Sequence, residues 1–313
     1  EFNGVKMDAI LVAIDYKGLP VYKNKATRFG ESSKDVHESL GYLNLIRTQL
    51  KQRYNAPCIL QTCAHEVESF FGSYDVQVKN TSRQFISEFN LSLVMDIAGT
   101  DDFLLDVSAI SETVGLSNWH DPAINHIAKL PFSPKITPLY ADNICRIIAA
   151  MKGKSRRALV LDLDNTLWGG VIGDDGVDGI KIGNGDALGE AYLSVQNSIL
   201  KLHERGIVLA VCSKNTDSIA RTPFKEHSSM LVKEQHIASF QANWDDKASN
   251  IRSIANELNL GLDSIVFMDD NPMERDLVRK YLPQVAVPEL PEDPSYFSRT
   301  LLAAGYFEAV HFS

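Results

Sequence analysis

The second half of the chain alternates short apolar runs with longer amphipathic ones. "ALVLDLD" (158–164), "IVLAVCS" (207–213) and "SIVFMDD" (264–270) each carry four or five apolar residues in succession and then turn polar. That is the pattern of strands buried on both faces of a parallel sheet. Between them, "AYLSVQNSILKLHERG" (191–206) and "DKASNIRSIANELNL" (246–260) repeat apolar residues at helical spacing. In the first half, "AILVAID" (9–15) predicts a buried strand stopped by Gly18-Leu19-Pro20. Leu43, Ile46 and Leu50 predict a helix ended by Asn55 and Pro57. "CILQTC" (58–63), "LSLVMDI" (91–97) and "FLLDVSAIS" (103–111) read as further strands, and "ADNICRIIAAMKG" (141–153) as a helix closing at Gly153.

This alternation implies an α/β fold with largely parallel sheets. The polar, basic "KGKSRR" (152–157) sets the boundary between two domains, 1–153 and 154–313. The second is expected to be a Rossmann-like parallel sheet. "LWGGVIGDDGVDGI" (167–180) predicts a glycine-rich hairpin flap, and no insertion between the strands is long enough for a large cap. Trp168, in that flap, suits a cover over a ligand and a core position equally.

Composition narrows the classes. A net charge of -9 across 313 residues opposes a nucleic-acid binder. No apolar run approaches a membrane span. Cysteines at 58, 63, 145 and 212 lack metal-type spacing, which predicts reduced thiols and a cytoplasmic location. The opening "EFNGVKMD" has no initiator methionine, so the segment is read as one that a larger chain could contain.

Ligands of open parallel sheets bind beyond the carboxyl ends of the strands. There the chain places Asp162, Asp164, Asn165 and Thr166, then Cys212, Ser213, Lys214 and Asn215, then Asp269, Asp270 and Asn271. Four carboxylates at one edge repel unless a cation lies between them. A hard divalent ion, Mg²⁺ above all, answers that, with phosphate completing its shell.

These residues carry a resemblance. Asp162-Leu-Asp164-Asn-Thr166 is similar to the DxDxT signature of the haloacid-dehalogenase-like phosphotransferases. The resemblance implies Asp162 as nucleophile and Asp164 as general acid and base. It also implies Ser213 on the phosphoryl oxygens, with Thr166 and Lys214 beside it, and Lys247 of "WDDKASN" neutralising charge. Asp162, Asp164, Asp269 and Asp270 then form the Mg²⁺ site, Asp164 through its carbonyl.

Residues 155–312, with "VLDLDNTLWGGVIGDDG", "LAVCSKN", "FMDDNPMERDLVR" and "LPQVAVPELPEDPS", more closely resemble the FkbH-like subgroup. The first half resembles its SGNH-hydrolase-like domain. That resemblance implies a glyceryl transferase/phosphatase of polyketide biosynthesis. Such an enzyme takes 1,3-bisphosphoglycerate, removes phosphate and loads a glyceryl group on the phosphopantetheine thiol of an acyl carrier protein. A plain Mg²⁺-dependent phosphomonoesterase acting on a small metabolite is the alternative, and a non-catalytic docking module the third reading.

On that substrate Cys212 gains a role as an acyl carrier, forming a thioester by attack on the mixed anhydride. The role carries a geometric condition. Side chains alternate along a strand, so Cys212 and Ser213 can share a ligand only if the strand ends before them. Cys63, with His65 in "QTCAHE", is the rival thiol. Arg275 suits a salt bridge or a second phosphate. The first domain lacks a Gly-Asp-Ser block and an Asp-x-x-His pair, so it is expected to be non-hydrolytic. Asn118, His120, Asp121 and His126 are expected to serve turns and local hydrogen bonds.

Overall fold

The computed structural model describes residues 6–20, 29 and 35–311. The chain divides into two compact units, Glu1–Ile148 and Ala149–Ser313. The division falls inside the helix that the sequence closes at Gly153.

The first unit holds a three-stranded parallel sheet in the order β1 (Ile10–Val12), β2 (Cys58–Gln61), β3 (Phe103–Leu105). Helix α1 (Asp35–Tyr54) precedes β2 and stops at Asn55, whose φ of 48° is left-handed. Helices α2 (Ser82–Ile97), α3 (Val107–Val114), α4 (Leu116–Trp119), α5 (Pro122–Ala128) and α6 (Thr137–Met151) follow. Val12, Leu60, Phe85, Ile86, Phe89 and Leu93 form its core.

Two predicted strands of this unit are corrected. "LSLVMDI" is the end of α2: Leu93 and Ile97, four apart, are buried, while Leu91, Val94 and Met95 face out. Consecutive apolar residues mimic a strand when a helix exposes some of them. "FLLDVSAIS" is a strand only to Leu105, because the Asp106 carboxylate accepts from the Ala109 amide and starts α3.

The second unit is built on β4 (Ala158–Leu161), β5 (Val208–Ser213), β6 (Ile237–Ala242) and β7 (Ile265–Met268), all parallel, in the order β6-β5-β4-β7. Its helices are α7 (Ile172–Gly179), α8 (Ala187–Glu204), α9 (Asp217–Glu226), α10 (Lys247–Glu257), α11 (Pro272–Tyr281) and α12 (Phe297–Ala303). Strand β6 escaped the sequence pattern because it is a partly exposed edge strand carrying Ser239 and Gln241.

Alternation sorts the central strands into two apolar faces. Leu159, Leu161, Leu209, Val211, Val266 and Met268 pack with Val195, Ile199 and Leu202 of α8. Ala158, Val160, Ala210, Cys212, Ile265 and Phe267 pack with Ile251 and Ile254 of α10 and Val278 of α11. The chain from Gly169 to Lys181 is closed at its base by an antiparallel bridge, with reciprocal backbone bonds of 3.0 and 2.7 Å. Its middle is the short helix α7, not the second arm of a hairpin. Gly170 is required in it: φ is +95°, and a Cβ there would lie 2.5 Å from the Asp175 carboxylate. Among the described residues no helix is long and apolar enough to cross a membrane.

Candidate active site

The ends of β4, β5 and β7 meet around a cavity of about 190 Å³. It is lined by Asp162, Asp164, Asn165, Ser213, Lys214, Lys247, Asp270, Asn271 and Glu274. The residues at or just past the ends of these strands supply much of its lining.

Lys247, the first residue of α10, is the electrostatic centre. It is 2% exposed, and its Nζ lies 2.8 Å from Asp162 Oδ1 and 2.6 Å from Asp269 Oδ2. Burial alone would depress its pKa, but the two carboxylates outweigh burial and raise it. Burial and the neighbouring Asp162 charge push Asp269 up to about 7, with Lys247 opposing. Of these two directions, the raised lysine is the firmer, since two close carboxylates face one ammonium. Asp270 is also raised, by burial and then by Asp162.

Ligand atoms of Asp162, Asp269 and Asp270 lie within 4.8 Å of one another. Three oxygen donors with one lysine among them leave negative charge uncompensated, which suits a hard divalent cation. The Asp164 carboxylate is outside this group, and its expected contact with the ion is through the backbone carbonyl. The side chain is committed elsewhere. Its Oδ1 accepts from the Trp168 indole and the Ile172 amide, both at 2.9 Å, and its Oδ2 from Asn215 at 2.8 Å. Burial raises its pKa against these donors. It lines the cavity beside Asp162. Trp168 itself is fully buried, edge-on to Phe224, and so belongs to the core while orienting Asp164.

Thr166 departs from expectation. It is fully buried and does not line the cavity; its hydroxyl donates to Asp270 Oδ1 at 3.2 Å and accepts from the Asp270 amide at 3.1 Å. It positions a carboxylate. Ser213, Lys214 and Lys247 do line the cavity. Lys214 pairs with Glu274 at 2.6 Å. Arg275 is buried and donates to the carbonyls of Asp269 and Asp270 and to Glu289, so it braces the strand end.

Cys212 fails its geometric condition. Strand β5 continues through Ser213, with Cys212 opposite Gln241 and Ser213 opposite Ala242. Ser213 therefore reaches the cavity while Cys212 turns into the core among Ala210, Ala248 and Phe267. The thiol has no exposed surface, it donates to the Lys247 carbonyl at 3.8 Å, and burial pushes its pKa up to about 12.

Sequence reasoning left Asn215, Asn165 and Glu274 without roles. Asn165 holds a left-handed φ of 54° directly after Asp164, and its side chain accepts from the Gly170 amide, tying strand end to flap. After glycine, a small amide or acid tolerates that conformation most readily, which was a signal in the sequence.

In the first unit, Cys63 is buried with its pKa raised by burial, and no hydrogen bond joins it to His65. Asp121 caps α5, Asn118 donates to the Val114 carbonyl, and a ring nitrogen of His120 bonds the His65 carbonyl at 2.7 Å. His120 and His126 line a cavity of about 380 Å³ with Tyr16, Lys17 and Glu66.

Neither a protein-family model nor a curated protein matches this sequence. Solved structures do. The N-terminal part of the protein BF1531 from Bacteroides fragilis, which contains a phosphatase domain and is complexed with Mg, is 34% identical. The match covers 98% of this chain and 81% of that one with a TM-score of 0.89. A protein from Vibrio cholerae assigned as a 3-deoxy-D-manno-octulosonate 8-phosphate phosphatase matches 53% of this chain and 93% of its own, at 16% identity and a TM-score of 0.34. An uncharacterized protein from Corynebacterium glutamicum matches 49% of this chain and 97% of its own, at 13% identity and a TM-score of 0.32. These two shorter superpositions are too loose to bear on mechanism. With a near full-length match to a phosphatase-domain protein, and an Asp162-Leu-Asp164-Asn-Thr166 strand end facing a buried lysine, the chain belongs to the haloacid-dehalogenase-type phosphatases.

Proposed function

We propose that the second unit is a Mg²⁺-dependent phosphatase that works through an aspartyl-phosphate. The observation that carries this is the Asp162 carboxylate, held at 2.8 Å by Lys247 in one cavity with Asp164 and beside Asp269 and Asp270. Asp162, Asp269 and Asp270 would hold the ion; when bound it supplies positive charge for the phosphoryl oxygens.

The chain's own groups account for the rest. An Asp162 oxygen forms a bond to phosphorus as the bond from phosphorus to the leaving oxygen breaks. Asp164 gives its proton to that oxygen. Water then attacks the aspartyl-phosphate, Asp164 takes back a proton, and phosphate leaves with the Asp162 carboxylate restored. Ser213 and Lys247 stabilise phosphoryl charge from fixed positions, so little reorganisation is needed during transfer.

The finer reading is a glyceryl transferase that uses 1,3-bisphosphoglycerate and an acyl carrier protein in a polyketide pathway. It is supported by the FkbH-like motifs, in particular "FMDDNPMERDLVR" and "LPQVAVPELPEDPS". With Cys212 buried, this reading has the carrier thiolate attack the C1 carbonyl of the mixed anhydride directly, forming the carbon–sulfur bond as the bond to the C1 phosphate breaks and phosphate leaves, without a thioester on this chain. The plain phosphomonoesterase is the reading favoured by the buried thiol.

The test is phosphate release with and without Mg²⁺, with intact-mass detection of a phosphorylated or glycerylated protein. Mg²⁺-dependent release, lost in Asp162→Asn, is expected. Release that persists in Asp162→Asn removes the aspartyl-phosphate mechanism. Transfer of glyceryl to a carrier protein separates the two finer readings.

A further inference from the structure

The first unit holds a cavity of about 380 Å³, against about 190 Å³ at Asp162, and the phosphatase reading makes no use of it. Three separate segments build it. Tyr16 and Lys17 come from just past β1, Glu66 and Glu68 from past β2, and Asp121 and Asn125 from the start of α5. That places it beyond the carboxyl ends of parallel strands, where sheets of this kind bind ligands.

Charges of both signs line this cavity and do not pair. Among the described residues no ion pair joins Lys17 to Glu66, and neither pairs with another charged side chain. Each is held instead by a neutral group. The Glu66 carboxylate accepts from the Tyr16 hydroxyl. Lys17 Nζ donates to the Asn125 Oδ1 at 3.2 Å, and Asn125 is pinned in turn by its own donation to the Leu130 carbonyl at 2.8 Å. Neutral partners fix the position of a charge without cancelling it. The other two acids act differently. Asp121 is spent on the Ile124 amide as the cap of α5, and Glu68 is exposed to screening by water.

A ligand of one sign would satisfy one of the two held charges and be repelled by the other. A ligand carrying both signs satisfies both. Its ammonium would donate to Glu66, and its carboxylate would accept from Lys17, as two charge-assisted hydrogen bonds. Ser117, the other hydroxyl in the lining besides Tyr16, has no hydrogen bond to a histidine among the described residues, so the site is one for binding rather than for hydrolysis.

We infer that the first unit carries a second ligand site, for a small zwitterion of which a free amino acid is the simplest form, with Glu66 taking its ammonium and Lys17 its carboxylate. No residue of this site lines the phosphatase cavity, so its failure leaves the phosphatase reading standing.

The test uses the full chain without Mg²⁺. Each common amino acid is screened by saturation-transfer NMR, and Kd is measured by titration for those that respond. At least one should bind with a Kd of about 1 mM or lower. Its N-acetyl form, which lacks the ammonium, and its methyl ester, which lacks the carboxylate, should each bind at least about tenfold more weakly. In Lys17→Met the free amino acid should fall to the affinity of its ester, while Lys17→Arg retains part of the difference. In Glu66→Gln it should fall to the affinity of its N-acetyl form. No response from any amino acid overturns the inference. So does a derivative that binds as well as its parent, a comparison made on the unsubstituted protein and independent of how the variants fold. Binding that survives both Lys17→Met and Glu66→Gln places the ligand elsewhere and overturns it as well.

Discussion

The inertness of Cys212 is open to a direct measurement. Its thiol has no exposed surface, and burial shifts its pKa from 9.0 to about 12. An ordinary thiol at pH 7 is thiolate to roughly one part in a hundred; at a pKa of 12 the fraction is roughly one in a hundred thousand. Reaction with iodoacetamide proceeds through the thiolate, so Cys212 should alkylate about a thousandfold more slowly than an ordinary thiol, before steric exclusion adds to the difference. Cys145, which is exposed, serves as reference within the same molecule. The assay is a native labelling time course read by peptide mass spectrometry. Denaturant should bring Cys212 to the rate of Cys145. Labelling of native Cys212 within about tenfold of Cys145 would refute the buried placement and revive its acyl-carrier role. In parallel, Cys212→Ala should cost about 1 kcal/mol of stability, from lost packing alone, and leave phosphate release intact. The sign of the pH effect follows. The folded-state pKa lies above the unfolded one, so the stability contributed by the buried thiol is complete below about pH 9. It is lost as pH rises towards 12, by up to about 1.4 kcal/mol per unit.

Three further outcomes are expected. Lys247→Met leaves Asp162 and Asp269 buried without their cation and should cost about 3–5 kcal/mol, read as a fall in Tm that Mg²⁺ repairs more in the variant than in the unsubstituted protein; equal Mg²⁺ shifts would contradict the account. Thr166→Val keeps the shape but removes both bonds to Asp270, so Mg²⁺ affinity measured by calorimetry should fall about tenfold or more, while a phosphate-binding role would leave Mg²⁺ affinity alone and raise KM. Trp168→Phe removes a donor that favours the ionised Asp164, so the limb of the kcat–pH profile that reports Asp164 should move to higher pH; an unmoved limb would sever Trp168 from that carboxyl.

Much of the site was legible in the chain because its chemistry sits where apolar runs stop. "ALVL", "IVLAV" and "IVFM" mark β4, β5 and β7, and the polar residues after each converge on one cavity. Where an apolar run served a helix instead, as in residues 91–97, the pattern misled, since local hydrophobicity does not record which side a neighbour covers. Strand β6 went unread for the converse reason: an edge strand is half polar, and its identity comes from pairing with β5.

By itself the sequence determined the donor types, their order and the strand ends that present them. It could therefore determine that phosphate and a hard cation belong there. What tertiary structure alone decided is which way each side chain points. One more residue of pairing between β5 and β6 sends Ser213 to the cavity and Cys212 to the core under α10. Thr166 turns to Asp270, Asp164 to the flap and Asp162 to Lys247 by the same kind of choice. Those directions are set by register, by helices packed from both faces and by the cost of burying an unpaired charge, all of which depend on residues far apart in the chain.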